Sequence, residues 1–260
     1  MFSSLFKNPF RHFILLCLAL ILPGLSVPAF AADALTPAQK KEVESTIQNY
    51  LMTHPEVIMQ ALQSMQERDK KAKEDQVTGF LGNNAELIRN DPNSFVGGNP
   101  EGDVTLVEFF DYRCGYCKKF HPVLEELLKT DKNLRVVYKE FPILGPDSQL
   151  ASQAAIAALI QDKALYLPFH TAMMEAKGNL SKQRILDIAE ETGLDIARLA
   201  GNLQARKIKE VVAMNYRLAQ NLGITGTPGF VIGDTVIPGY VDLQQMRRLI
   251  AEARTGCKTC

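Results

Sequence analysis

Apolar residues recur at helical spacing through the first third of the chain. Thr36-Pro37-Ala38-Gln39 is a helix start, with Thr as cap, Pro at the first helical position and Gln three residues after the cap. Val43, Ile47, Tyr50 and Leu51 then fall on one helical face. Thr53-His54-Pro55-Glu56 repeats the start signal, and Val57, Ile58, Ala61, Leu62 and Met65 give a second helix its apolar face. From Glu67 to Asp75 charge replaces the stripe, which predicts a solvated helix or a linker. Asn84 to Asn90 reads as one more short helix, so Thr36 to about Pro92 is expected to be helical.

The pattern then changes. Val104 to Phe110 is apolar and β-branched, a buried type of strand. Cys114 to about Thr130 reads as a helix and Leu134 to Phe141 as a second strand. Ser148 to Gly223 is almost entirely helical, punctuated at Leu167-Pro168, Gly178-Asn179, Thr192-Gly193 and Gly201-Asn202. Gly229 to Ile232, a turn at Gly233-Asp234 and Thr235 to Ile237 predict a β-hairpin. Asp242 to Arg254 is a last helix. The order strand, helix, strand, helical block, hairpin, helix predicts an α/β fold with helices covering a small sheet.

The start of the chain reads differently again. Lys7 and Arg11 precede an unbroken apolar run, Phe13 to Leu22, ended by Pro23-Gly24 and followed by Ala29-Phe30-Ala31. This is the layout of a secretory signal in residues 1–31, cleaved after Ala31. The run is shorter than the about 20 residues a membrane span needs; an uncleaved anchor is the other reading. The signal carries two of the 29 basic residues and none of the 29 acidic ones, so the rest has 27 against 29, a net −2. That near-neutral balance gives no sign of a nucleic-acid partner.

Four cysteines follow the signal, as Cys114/Cys117 and Cys257/Cys260. They are too few to staple so long a chain, and their two-residue spacing points to redox or metal chemistry. Cys114 follows a strand and opens a helix, where free N–H groups and the helix dipole favour a thiolate below the free value of about 8.5. Cys114 is thus the candidate nucleophile. Cys117, nearly one turn on and less exposed, is the candidate for resolving a mixed disulfide. A structural disulfide, or a zinc site completed by Cys257 and Cys260, are the other readings. Cys257-Lys258-Thr259-Cys260 has no strand before it and no helix after it, and reads first as a local tail disulfide.

These motifs carry a family likeness. Val107-Glu108-Phe109-Phe110 leading into Cys-x-x-Cys, with Gly226-Thr227-Pro228-Gly229-Phe230 much later, resembles the DsbA-type oxidoreductases of thioredoxin fold. The likeness covers about Val96 to Arg254, with the helical block as that branch's insertion. It implies that Cys114 attacks, that Cys117 resolves, and that Thr227-Pro228 lies beside the sulfurs with Pro228 cis. An ordinary trans turn is the plain reading of Pro228. The resemblance further makes Glu108 the proton acceptor near Cys117; the plain alternative is a carboxylate on the solvent side of an edge strand. Thr227, Gly115 and Tyr116 become the expected substrate contacts. His121 reads as a surface or packing residue, and Lys118 and Lys119 as a solvated face. Gly115-Tyr116 and Thr227 depart from the Pro-His and Val of strongly oxidising DsbA enzymes and resemble DsbC-type isomerases instead. The N-terminal helices more loosely resemble oligomerisation segments of ScsC-like and Com1-like members.

The expected organisation is a signal at 1–31, a helical oligomerisation region at 32–95, a DsbA-like thioredoxin domain at 96–255 with a helical insertion at about 145–223, and a Cys-x-x-Cys tail at 256–260. The expected activity is thiol–disulfide exchange on unfolded or misfolded exported proteins in the periplasm, as isomerase or reductase rather than oxidase. A non-catalytic chaperone is the remaining alternative. No metal or organic cofactor is expected. The expected partners are a membrane redox protein, DsbB-like or DsbD-like, and further copies of the chain joined through residues 36–75, although the apolar stripes have the alternative of folding onto their own domain.

Overall fold

A computed structural model describes residues 35–256; the expected signal and the Cys257/Cys260 pair lie outside the described residues. The chain divides into two compact units between Leu62 and Gln63. Among the described residues no helix is long and apolar enough to cross a membrane.

In the first unit, α1 (Pro37–Thr53) begins as expected. Thr36 accepts from the Gln39 N–H, and the Gln39 side chain accepts from the Thr36 N–H. None of its residues is buried. α2 (Pro55–Asn83) starts at the second predicted signal and continues through the charged stretch. There Lys70–Glu74 and Lys71–Asp75, each 3.8 Å apart, form i,i+4 pairs that suit a solvated helix.

The second unit holds α3 (Ala85–Arg89) and a five-stranded sheet of β1 (Phe95–Gly98), β2 (Val104–Phe110), β3 (Leu134–Glu140), β4 (Gly229–Ile232) and β5 (Thr235–Pro238). The order is β1-β3-β2-β4-β5, with only β2 and β3 parallel. β2 is central and buried on both faces, hence its apolar run. Leu106, Phe110, Val136, Tyr138 and Phe230 pack on one face. Val107, Phe109, Val137 and Val231 pack on the other with Leu81, Ile88, Leu218 and Leu222. Residues 81 and 88, expected in the N-terminal region, are thus core residues of the sheet unit, and the unit begins at Gln63 rather than near residue 96. β1 carries no strand signal in the sequence: it is a four-residue edge with two glycines.

α4 (Gly115–Thr130) follows β2, and α5 (Pro146–Gln161), α6 (Lys163–Glu175), α7 (Lys182–Glu191), α8 (Ile196–Asn202) and α9 (Arg206–Asn221) fill the span between β3 and β4. α10 (Leu243–Thr255) closes the unit. The expected break at Leu167-Pro168 is absent. α6 runs through Pro168 because Tyr166, Phe169, His170, Met173 and Met174 bury one continuous face. The helix boundary lies instead at Asp162, whose carboxylate accepts from the Ala164 N–H.

An ion pair fastens α3 to the sheet. Lys139, fully buried on β3, sits 3.0 Å from Asp91 Oδ2 and donates to the Leu87 carbonyl at 2.8 Å. Burial pushes Asp91 up, but the Lys139 charge and donors from Asn93 outweigh it and hold the carboxylate below its usual range. Asp91→Asn leaves that ammonium without a counter-charge, and we expect a loss of about 3–5 kcal/mol in urea unfolding. A loss under 1 kcal/mol would show that water reaches Lys139.

Candidate active site

The turn between β2 and α4 is built by Asp111. Its Oδ1 accepts from the Arg113 N–H at 2.8 Å, its Oδ2 from the Leu144 N–H at 3.0 Å, and its carbonyl from the Cys114 N–H at 3.0 Å. Arg113 extends the tie by donating to the Leu144 carbonyl at 3.0 Å. The turn delivers Cys114 to the N-cap of α4 with extended backbone angles.

Both cysteines are thiols. Cys114 is 7% exposed and Cys117 is fully buried. As a thiol, Cys114 donates through Sγ to the Thr227 carbonyl at 3.1 Å. Its pKa is lowered to about 5: the Cys117 thiol is the largest influence, burial opposes it, and the Thr227 side chain and the N–H groups of Cys117 and Tyr116 add to it. Those N–H groups are the free donors of the helix start, which favour an anion at the cap. Cys117 is driven the other way, first by burial, then by Cys114 and by Glu108, and stays protonated far above its ordinary range.

The Thr227-Pro228 peptide bond is cis. The Pro228 carbonyl accepts from the Gly239 N–H at 2.9 Å, which ties this loop to the segment carrying Tyr240. Gly229 is required by space: a Cβ there would stand 2.5 Å from Ile224 Cγ2. Cys114, Cys117, Thr227 and Pro228 are therefore brought together. Glu108 joins them from the central strand, paired in register with Tyr138 and Phe230 and buried rather than solvated. Burial, then the Cys114 charge and Glu140, raise its pKa to about 8. Tyr116 is 61% exposed, with its ring 6.0 Å from that of Tyr240, and Lys119 lies 4.5 Å above the Tyr240 ring. A Cβ on Gly115 would meet nothing, so the approach to the sulfur is open there.

Lys118 is not part of a solvated face. Its ammonium donates to the carbonyls of Met173, Met174 and Ala176 at 3.2, 3.1 and 2.7 Å, gripping the C-terminal end of α6. His121 is buried and packs edge-on to His170 with ring centres 5.5 Å apart; burial lowers its pKa. A further group escapes sequence reasoning: Glu140, Tyr112, Tyr166 and His170, all buried and joined by hydrogen bonds. The available signal is a charged pair, Lys139-Glu140, at the end of an apolar strand.

Residues 105–251 match the family model described as DSBA-like thioredoxin domain, more than half of the chain. This chain belongs to the DSBA-like thioredoxin family. Residues 39–72 match the model of the copper resistance protein ScsC N-terminal domain. Among solved structures, a thioredoxin-like oxidoreductase from Silicibacter pomeroyi is 43% identical over 65% of this chain and 97% of its own, with a TM-score of 0.63. Proteus mirabilis ScsC in a transitional conformation is 32% identical over 86% of this chain and 98% of its own, with a TM-score of 0.64. Among curated relatives, the Na(+)/H(+) antiporter NhaA 1 of Salinispora arenicola is 29% identical over 63% of this chain, which spans only 25% of that relative's length. The DSBA-like match contains β2, the Cys-x-x-Cys helix, the insertion and the cis-proline loop; the ScsC match lies on α1 and α2.

Proposed function

We propose that the protein catalyses thiol–disulfide exchange on exported proteins in the periplasm, acting as an isomerase or reductase. The observation that carries this reading is the Cys114 sulfur, held at the start of α4 with its pKa lowered to about 5 and backed by a buried thiol. At neutral pH Cys114 is a thiolate. It attacks one sulfur of a substrate disulfide; a Cys114–substrate bond forms, the substrate S–S bond breaks, and the other substrate sulfur leaves with the electron pair. In isomerisation, a substrate thiolate attacks within the substrate and returns Cys114 as thiolate. In reduction, the mixed disulfide removes the Cys114 charge that helps keep Glu108 protonated; ionised Glu108 then takes the proton of Cys117, which attacks Cys114 and displaces the substrate thiolate, leaving a Cys114–Cys117 disulfide and a reduced substrate. A DsbD-like membrane partner then reduces the pair; a DsbB-like partner would serve the oxidising direction. Tyr116, Gly115 and the Thr227 backbone flank the path by which substrate reaches the sulfur.

The isomerase direction rests on the first unit. Val43, Ile47, Tyr50, Ile58 and Leu62 are 44–53% exposed on α1 and the start of α2. Such a stripe suits association with further copies through residues 36–75, which brings several Cys114 thiolates to one misfolded substrate.

The test is reactivation of a scrambled-disulfide protein by the protein lacking only its signal, beside a variant lacking residues 35–62. That cut spares Leu81, Ile88 and Asp91. We expect full reactivation by the longer protein, and a smaller species that mainly oxidises reduced substrate from the shorter one. Oxidation without reactivation by both would make the protein an oxidase.

A further inference from the structure

Two buried carboxyl groups share the sheet face beneath α4. Glu108 and Phe110 alternate on β2, Tyr138 and Glu140 on β3, and the register pairs Glu108 with Tyr138 and Phe110 with Glu140. Paired residues of neighbouring strands point to the same side, so Glu108 and Glu140 are diagonal neighbours, roughly 8 Å apart. Lys139 turns to the opposite face, where Asp91 holds it, and supplies neither with a counter-charge.

Glu140 is fixed in a directed chain. The Tyr112 hydroxyl donates to Glu140 Oε1 at 3.1 Å and lies 2.9 Å from His170 Nδ1; Tyr166 donates to the same Oε1 at 3.0 Å. With its one hydrogen directed to Glu140, the Tyr112 oxygen accepts from His170 Nδ1–H, which defines the tautomer of a ring that burial keeps neutral. Oε1 is occupied twice. Oε2 is buried and away from the tyrosines, and the Ser152 hydroxyl from α5 faces the carboxyl as a third donor that, like the tyrosines, favours its ionised form. Tyr112 stands two residues before Cys114, so the chain ends in the active-site turn.

We propose that Glu140 is a positioning residue for the exchange reaction: paired with Glu108 on one sheet face, it sets the pH range over which Glu108 takes up the proton of Cys117. This rests on the exchange function proposed above. The charged and titratable groups facing Glu108 are Cys114, Cys117, Tyr138 and Glu140; those facing Glu140 are Asp111, Tyr112, Tyr166, His170 and Glu108. Burial dominates for both carboxyls and leaves each with a pKa of about 8. Two such neighbours release protons in two steps that belong to the pair. Removing one carboxyl leaves a single step below the upper of the two.

The experiment is a carboxyl-carbon NMR titration of the full chain in its oxidised form, where the Cys114–Cys117 pair does not titrate. Wild type, Glu140→Gln and Tyr166→Phe are compared. Gln keeps an acceptor for both tyrosines, and Tyr166→Phe preserves the carboxyl should Glu140→Gln not fold. The Glu108 midpoint should fall by about one pH unit in Glu140→Gln and by less in Tyr166→Phe. The pH profile for Cys117 resolving a glutathione adduct on Cys114 should move down with it. An unmoved Glu108 midpoint overturns the proposal, as does a moved midpoint with an unchanged resolving profile. A wild-type protein whose Cys114 forms no adduct at all would instead remove the exchange reading, and the role of Glu140 with it.

Discussion

Replacing Cys117 with Ala is expected to turn a protein that releases its substrates into one that keeps them, and to raise the Cys114 pKa at the same time. Both effects have one cause. The Cys117 thiol points at Cys114 Sγ and is the largest influence lowering its pKa to about 5. Losing a hydrogen bond to a charged group removes about 1.5–3 kcal/mol, which is roughly 1–2 pH units. The alkylation midpoint of Cys114 should therefore rise to between 6 and 7, as about 5 plus that shift. The helix-start N–H groups and Thr227 remain and keep it below a free thiol.

The second effect is larger. Cys117 is fixed behind the reacting sulfur, so its attack on a mixed disulfide is intramolecular, and an external thiol must replace it at ordinary concentration. The adduct should persist on the order of a thousandfold longer, visible as a covalent complex on a non-reducing gel. A Cys117→Ala variant with an unmoved midpoint and no trapped adduct would mean that Cys117 is neither partner nor resolver.

The residues of this chemistry differ in how far the sequence reveals them. Cys114 and Cys117 are legible because helix start and spacing are local properties, written within a dozen residues. Thr227-Pro228 is legible through the family pattern, since nothing local states that residue 227 comes to within 3.1 Å of residue 114. Glu108 is half legible: its place in an apolar run is plain, but whether the strand is central or an edge depends on the pairing of β2 with both β3 and β4. Glu140, Tyr112, Tyr166 and His170 are not legible, because three segments, β3, the turn after β2 and α6, meet only in the folded chain. Lys118 misleads for a different reason. Beside Lys119 it looks solvated, yet its long stem lets the ammonium reach the open carbonyls at the end of α6. The boundary of the sheet unit misleads as well: charge along residues 67–75 suggests a linker, while the same helix goes on to bury Leu81.

Reduced protein should be more stable than oxidised protein, by a margin that grows with pH. The sign follows from Cys114. Its folded pKa, about 5, lies below the unfolded value near 8.5. A group depressed in this way contributes fully above the unfolded pKa and loses its contribution as pH falls through the folded one. The window is therefore about pH 5 to 8.5, and the contribution at pH 7 is on the order of 2 kcal/mol. Glu108 and Glu140 run in the opposite sense. Raised to about 8 from an ordinary carboxyl value, they stabilise the fold below that ordinary value, and this is lost as pH rises through 8. Burial and their mutual charge act in both redox forms, so the difference between two urea-unfolding series, reduced and oxidised, reports the sulfur together with its coupling to Glu108. Cys117, pushed far upward, stays protonated through this window. The disulfide closes a four-residue loop worth about 2 kcal/mol, independent of pH, so it offsets part of the margin without changing its slope. A margin that widens between pH 5 and 8 means that the fold favours the dithiol and holds Cys114 ready as a thiolate. A margin that is flat with pH would show that the α4 start does not stabilise the anion, and the nucleophile assignment would fall with it.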